Sequence, residues 1–366
     1  MRGVFMANCF EYLDWRGDIP LSAAPLNEID GMILSRISYA PFELVGKKKA
    51  VRLGDICREL LTFENLGEKL VSRDDEKLIS AVSENPRFSG LYMFEYVNNI
   101  DTSEETQFSA VTFEIGRGLY YIAFRGTDDT LVGWKEDFNM SFVTPVPAQE
   151  LAVRYFERVA RKLRGKFILG GHSKGGNLAV YAAAFSNPRL QNRIIAVENF
   201  DGPGFDGEVL KKEGYKNIRE RINTYIPQSS VVGLLLFHES EYTIVKSTYN
   251  GLLQHDTYSW EVERDKFVYL EKITEQSRFL DSALKEWIAG MEKEKREKLV
   301  DTLFEIISST GAETVSELSE NRMSNALSAI KALRGLDDET RGVLTEAISA
   351  LLRGGKKVLS ETIRNK

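Results

Sequence analysis

Apolar and polar positions along this chain fall into three regimes, and the shifts between them mark its organisation. Up to about residue 105 the apolar residues recur at helical spacing. Leu26, Ile29, Ile33 and Ile37 make one stripe around Asn27–Leu34, and Asp55–Phe63 and Asp75–Val82 repeat the pattern. From Phe108 the period shortens. Phe108–Ile115 is rich in β-formers and partly alternating, Gly116-Arg117-Gly118 turns the chain, and Leu119–Phe124 is continuously apolar, as a strand buried on both faces requires. Helices and strands then alternate: a helix at Gln149–Leu163, a strand from Phe167, a helix to Ala184, a strand at Arg193–Phe200, a helix over 205–212 and a strand at Ile218–Ile226. Glu241–Thr248 reads as the last strand. This order predicts an α/β fold with a mostly parallel central sheet, helices on both faces and a helical N-terminal extension. Beyond Lys266 no proline occurs and Glu, Lys, Leu and Ala dominate, so 271–289, 292–308, 313–334 and 338–364 read as four helices of a tail or cap. Two domains are expected, 1–265 and 266–366.

The chemistry is concentrated in Phe167–Ala184. An apolar run, Phe167-Ile168-Leu169, is followed by Gly170-Gly171-His172-Ser173-Lys174-Gly175-Gly176 and then by Leu178, Ala179, Tyr181 and Ala182 at helical spacing. Strand, tight turn and helix with a serine at the apex is the setting of a nucleophile elbow. The turn strains the serine backbone, so the positions two before and two after must be tiny, and Gly171 and Gly175 are.

A serine hydroxyl needs a base to take its proton. Folds with such an elbow order their triad as serine, acid, histidine, with the histidine on a loop after the last strand. His255, within Gly251–Asp256, fits that place; His238, just before the last strand, fits it less well, and His172 packs beside the base position. For the acid, the loop after Ile226 offers Pro227-Gln228-Ser229-Ser230 and no carboxylate. Asp201 follows the preceding strand, where it either orients the base or shapes the turn through side-chain-to-backbone bonds. Asp206 is a weaker alternative, and Asp256 is too close to His255 to orient it easily. The developing oxyanion needs donors. The backbone N–H of Lys174 is one, and Thr127, in the loop after Leu119–Phe124, is the other; Arg125 beside it either serves that loop or pairs locally with Asp137.

Composition narrows the classes. The chain has 366 residues, enough for one large domain or two modest ones, and its 48 basic against 54 acidic residues form no basic block, which argues against nucleic-acid binding. Cys9 and Cys57, with three histidines in the chain, argue against a disulfide scaffold and against a Cys/His zinc site, and suit plain core residues. Glu11 and Asp14 interrupt the segment that a signal peptide would keep apolar, and no run approaches the roughly 20 apolar residues of a membrane span. A soluble cytoplasmic protein is the expectation. The cluster Tyr12–Asp18 either lines a site or docks the N-terminus on the domain, and docking is the simpler reading. A phosphate cradle is disfavoured, because the glycine-rich turn lacks GxxxxGK[ST].

Four stretches together resemble the lipase class 3 family of α/β hydrolases: Ala123–Thr127, Trp134–Asp137, Gly171–Ala179 and Asn199–Gly204. Tyr12–Asp18, Ile226–Gly233 and Gln254–Trp260 make the chain similar, closer still, to a bacterial branch of that superfamily, over about residues 6–262. The resemblance implies the α/β-hydrolase fold, Ser173 as nucleophile, His255 as base, and Thr127 with Lys174 as oxyanion donors. It departs at the acid, because class 3 lipases usually carry an aspartate where this chain has Gln228-Ser229. Either Asp201 substitutes, or the machinery is a dyad, or activity is weak. Lys174, where lipases often have leucine, sets a charge beside the nucleophile. The expected function is cleavage of a carboxylic ester of a lipid or acylated small molecule, without metal or organic cofactor. The alternative is a hydrolase fold without useful catalysis that acts as a binding or scaffold module.

Overall fold

Three helices near the start of the chain form because polar residues close their first turns. A computed structural model describes residues 7–46, 49–101, 106–128, 145–230, 232–233, 242–249 and 251–274, with positions 135, 140, 301, 302 and 305 besides. Helix α1 (Cys9–Arg16) is capped by Asn8 with Glu11, α2 (Glu28–Ile37) by Asn27 with Asp30, and α4 (Arg73–Glu84) by Ser72 with Asp75. In each, the cap side chain accepts from the first turn while the acidic residue reaches back to the cap's own N–H. Helix α3 (Leu53–Leu60) has no such cap and presents Leu53, Ile56, Cys57 and Leu60 to the core.

Among the described residues, nine strands pair into one sheet in the order β1 (Ala50–Arg52), β2 (Tyr92–Asp101), β3 (Thr106–Gly116), β4 (Leu119–Phe124), β5 (Lys166–His172), β6 (Ile194–Phe200), β7 (Ile222–Pro227), β8 (Tyr242–Val245) and β11 (Tyr269–Leu270). Strands β9 (Val262–Glu263) and β10 (Lys266–Phe267) pair with each other. Neighbours from β4 to β8 run parallel; β1 to β4, and β11 on β8, run antiparallel. Helix α5 (Pro147–Lys162) and helix α6 (Lys174–Phe185) cover one face, and the N-terminal helices cover the other. The continuous apolar run of β4 follows from this. Tyr120, Ile122 and Phe124 pack with Tyr155, Phe156 and Leu178, whereas Tyr121 and Ala123 pack with Ile29, Ile33 and Ile37. This is an α/β-hydrolase fold with a mostly parallel centre.

The sheet corrects the sequence reading at its margins. The first 105 residues, read as mostly helical, also hold β1 and all of β2. A bulge between Phe94 and Val97, with Glu95 at φ 56°, breaks the alternation by which β2 would have been recognised. The strand expected from Ile218 starts at Ile222, after a helical turn at Glu213–Ile218. Strand β8 is shorter than Glu241–Thr248 and is not last, because β11 pairs beyond it.

The chain divides into two compact units, 1–127 with 145–285, and 128–144 with 286–366. In the second, positions 301, 302 and 305 are helical and Lys135 Nζ lies 3.0 Å from Asp301. Positions 271–274 are not helical, and the remaining expected tail helices lie outside the described residues apart from those three positions. In the first, Tyr12 docks the N-terminus. Its hydroxyl donates to Asp30 Oδ1 at 2.7 Å, and Arg87 Nε donates to the same oxygen at 2.6 Å, so a wholly buried carboxylate has its counter-charge in place. Cys9 and Cys57 are free and buried in the core.

Between α2 and the sheet lies a second buried carboxyl, Glu198 of β6. Tyr121 Oη donates to it at 3.0 Å, and a Cβ at Gly31 would fall 1.8 Å from its Oε2, so the helix passes directly over it. Burial, followed by the charges of Asp30 and Glu28, raises its pKa from 4.5 to about 8 against the lowering effect of the Tyr121 bond. A folded-state pKa above the unfolded one gives stability that is complete below about pH 4.5 and is lost as pH rises toward 8. Glu198→Gln keeps the shape without titrating. It should therefore leave the unfolding free energy near that of the wild type at pH 5 and raise it by on the order of 3 kcal/mol at pH 8. Denaturant melts at the two pH values check this; a gap that does not widen with pH contradicts a buried proton on Glu198.

Candidate active site

Strand β5 ends at His172, Ser173 turns the chain at φ 59°, ψ −134°, and α6 begins at Lys174. A non-glycine residue in that region stores on the order of 1–3 kcal/mol and persists only where its surroundings over-determine it. Here they do. Ser173 N–H donates to Phe200 O of β6 at 2.9 Å, and the elbow is pressed against the end of β4. A Cβ at Gly175 would lie 2.1 Å from Phe124 O, and one at Gly171 would lie 2.3 Å from the Gly175 carbonyl carbon. The two glycines are a backbone-to-backbone requirement. Helix α6 is buried from Lys174 to Ala184, and the positive end of its dipole lies at Ser173.

Strand β6 ends in the same way. Asp201 has φ 53°, and its N–H donates to Tyr225 O of β7 at 2.8 Å. Its side chain has no solvent exposure, and Oδ2 lies 2.6 Å from His255 Nδ1. The other oxygen accepts from Ser230 Oγ and from the Gly233 N–H at 3.2 Å. His255 closes a 3-10 turn, Gly251–His255, with its side chain 26% exposed. Gln254 fixes that turn: its Oε1 accepts from Ser229 N–H at 2.8 Å, its Nε2 donates to Tyr249 O at 2.7 Å, and its carbonyl accepts from Trp260 Nε1 at 2.8 Å. Gln228 clamps Ser247 through both backbone groups, at 2.9 and 2.7 Å. The stretch where the resemblance leads one to look for an aspartate thus holds Asp201 and the His255 loop in place instead of supplying a carboxylate.

Around this core, Thr127 is half-buried in the loop that follows β4. In the same loop Arg125 Nη2 donates to Asn98 Oδ1 at 3.1 Å. Lys174 is buried. Ser173 and His255 share no direct hydrogen bond among the described residues; His172 joins them, next to Ser173 in sequence and with its ring centroid 4.5 Å from that of His255. A general base works at about 2.6–3.2 Å, and such contacts commonly tighten when substrate binds. The other carboxylates are caps. Asp206 accepts from Glu208 N–H, and Asp256 from Tyr258 N–H. His238 and Asp137 lie outside the described residues. Two residues escaped the sequence reading. Ser230 lay inside a quoted stretch but had no assigned role. Tyr39, just after α2, reaches His172 across 133 positions and leaves no local signal.

Adjacent parallel strands that end in a strained serine and a strained aspartate, with the aspartate bonded to a histidine from beyond the last parallel strand, mark the site class of the α/β hydrolases. The chain belongs to the Mbeg1-like family, whose model matches residues 82–305. Among solved structures it is similar to a lipase from Rhizopus microsporus var. chinensis (12% identity, 75% of this chain and 84% of that chain, TM-score 0.37). Others are a Rhizomucor miehei lipase–propeptide complex (14%, 68% and 73%, TM-score 0.38) and a fungal lipase–inhibitor complex (13%, 67% and 83%, TM-score 0.39). No curated protein sequence matches.

The Gly175 contact is with backbone, which cannot swing aside. Gly175→Ala should therefore lower the unfolding free energy by about 3 kcal/mol, the upper range of overpacking. A denaturant midpoint that stays at the wild-type value would show that the elbow and β4 are not in register as described.

Proposed function

We propose that this protein is a serine hydrolase, lipase-like in mechanism, that cleaves a carboxylic ester through an acyl-enzyme. The observation that carries the reading is the 2.6 Å bond between His255 Nδ1 and the buried Asp201, beside the elbow of Ser173. With Nδ1–H held by the carboxylate, His255 Nε2 is left as the base. It takes the proton of Ser173 Oγ as that oxygen attacks the acyl carbon. The tetrahedral oxyanion is received by the N–H of Lys174 and by Thr127, at the positive end of α6. The C–O bond to the alcohol breaks as His255 returns the proton to the leaving oxygen. Water, activated by the same imidazole, then releases the acid and restores Ser173. The substrate is an ester of a lipid or acylated small molecule. The Asp201–His255 bond supports this reading over a hydrolase fold without catalysis.

Wild-type protein should be labelled by a fluorophosphonate probe, and Ser173→Ala should abolish the label; an unlabelled wild type beside a labelled control esterase refutes the hydrolase. In a p-nitrophenyl ester assay, Asp201→Asn should lower kcat by on the order of 10³–10⁴-fold. Gln228→Ala, which loosens the histidine loop without removing the acid, should cost about tenfold. Equal rates for Asp201→Asn and wild type would exclude Asp201 as the acid.

A further inference from the structure

Beneath the serine runs a chain of hydrogen bonds that the proposed reaction does not use. Gly126 N–H, in the oxyanion loop, donates to Tyr39 Oη at 3.1 Å. Tyr39 Oη lies 3.1 Å from His172 Nδ1, and His172 Nε2 lies 2.8 Å from the carbonyl oxygen of His255. A carbonyl can only accept, so Nε2 must carry the hydrogen of His172. Burial, then the neighbouring His255 and Arg36, pushes His172 well below the ordinary imidazole range and keeps it neutral. Nδ1 is then an acceptor, and the one hydrogen of Tyr39 faces it at 3.1 Å, nearer than the His172 carbonyl oxygen at 3.4 Å. Each group has a single direction: Gly126 N–H to Tyr39, Tyr39 O–H to His172, His172 Nε2–H to His255.

The surroundings fix that chain in place. A Cβ at Gly126 would meet Tyr39 Oη at 2.2 Å, His172 O at 2.6 Å and Ser173 Cβ at 3.0 Å, so the loop lies against both the tyrosine and the nucleophile. The Arg36 guanidinium sits 4.5 Å over the Tyr39 ring and 4.9 Å over the Tyr258 ring, three residues beyond His255, while its charge is met by Asp75. Arg36 of α2 thus packs on Tyr39 within the chain and on Tyr258 just beyond its His255 end.

We infer that Tyr39 and His172 are positioning residues, a one-way hydrogen-bonded strut that sets the oxyanion loop at a fixed distance from the backbone of His255. The inference rests on the hydrolase reading for its kinetic consequence and on geometry for its existence. A strut between donor and base acts on the transition state, not on ground-state binding, so its loss appears in kcat and not in KM.

The test uses Tyr39→Phe, His172→Gln and the double variant with a p-nitrophenyl butyrate assay, each checked by thermal melting. Tyr39→Phe should lower kcat by about 30- to 100-fold, the effect of a small misplacement of reacting groups, with KM changed less than about threefold. Because the members act as a unit, the double variant should be no slower than the worse single. A loss confined to KM, or single losses that multiply, overturns the strut. Independently of turnover, long-range ¹H–¹⁵N spectra of the wild type, with the His172 signals assigned by His172→Gln, should show His172 as the neutral Nε2–H tautomer, with Nδ1 shifted in Tyr39→Phe. An Nδ1–H tautomer or a protonated ring overturns it even if a variant fails to fold. A wild type that shows this tautomer but takes no fluorophosphonate label refutes the hydrolase and leaves the strut standing.

Discussion

The contact on which the molecule depends is the approach of three backbones at the carboxyl ends of β4 and β5. Phe124 O, the Gly171 backbone and the Gly175 backbone leave no room for a Cβ, and that closeness forces Ser173 into a left-handed conformation. A residue so placed cannot relax, because β6 takes its N–H and α6 takes its carbonyl. The stored strain, on the order of 1–3 kcal/mol, is sustained by two packed cores, one on each face of the sheet. The helical layers hold the elbow closed.

The same device, repeated one strand over, accounts for the position of Asp201. In a parallel sheet the strand ends come level, so a turn after β6 can face a loop that follows β8. Asp201 uses this, and its positive φ directs the carboxylate at His255. The ends of β7 and β8 are then free for other work, and Gln228, Ser229 and Ser230 do it by tying loop to loop and by meeting the second oxygen of Asp201.

Legibility in the sequence followed the range of the forces. The elbow was legible because its determinants lie within ten residues: an apolar strand, two obligatory glycines and an alanine-rich helix. The central parallel strands were legible because burial on both faces leaves an unbroken apolar run. Strand β2 was hidden by its bulge, and β11, two residues at a sheet edge, carries no periodicity at all. Asp201 could be nominated from its place after a strand, but its contacts with Ser230, Gly233 and His255, up to 54 residues away, leave no local signal. Tyr39 was invisible, because a tyrosine after a helix looks the same whether its hydroxyl meets water or a histidine from the sheet.

The docking of the first helices has a consequence for how the molecule is made. Glu28, at the start of α2, accepts from the Phe267 N–H at 2.7 Å and from Tyr225 and Tyr269 hydroxyls. Asp75 likewise accepts from Tyr258. A ribosome adding about 5–20 residues per second delivers those partners roughly ten seconds to a minute after Glu28 emerges. The apolar stripe of Ile29, Ile33 and Ile37 waits a shorter time, until β4 and β5 follow it, while Glu28 is still without its partners. The polar contacts that seat the N-terminal layer are therefore completed only once residues 225–269 have been made.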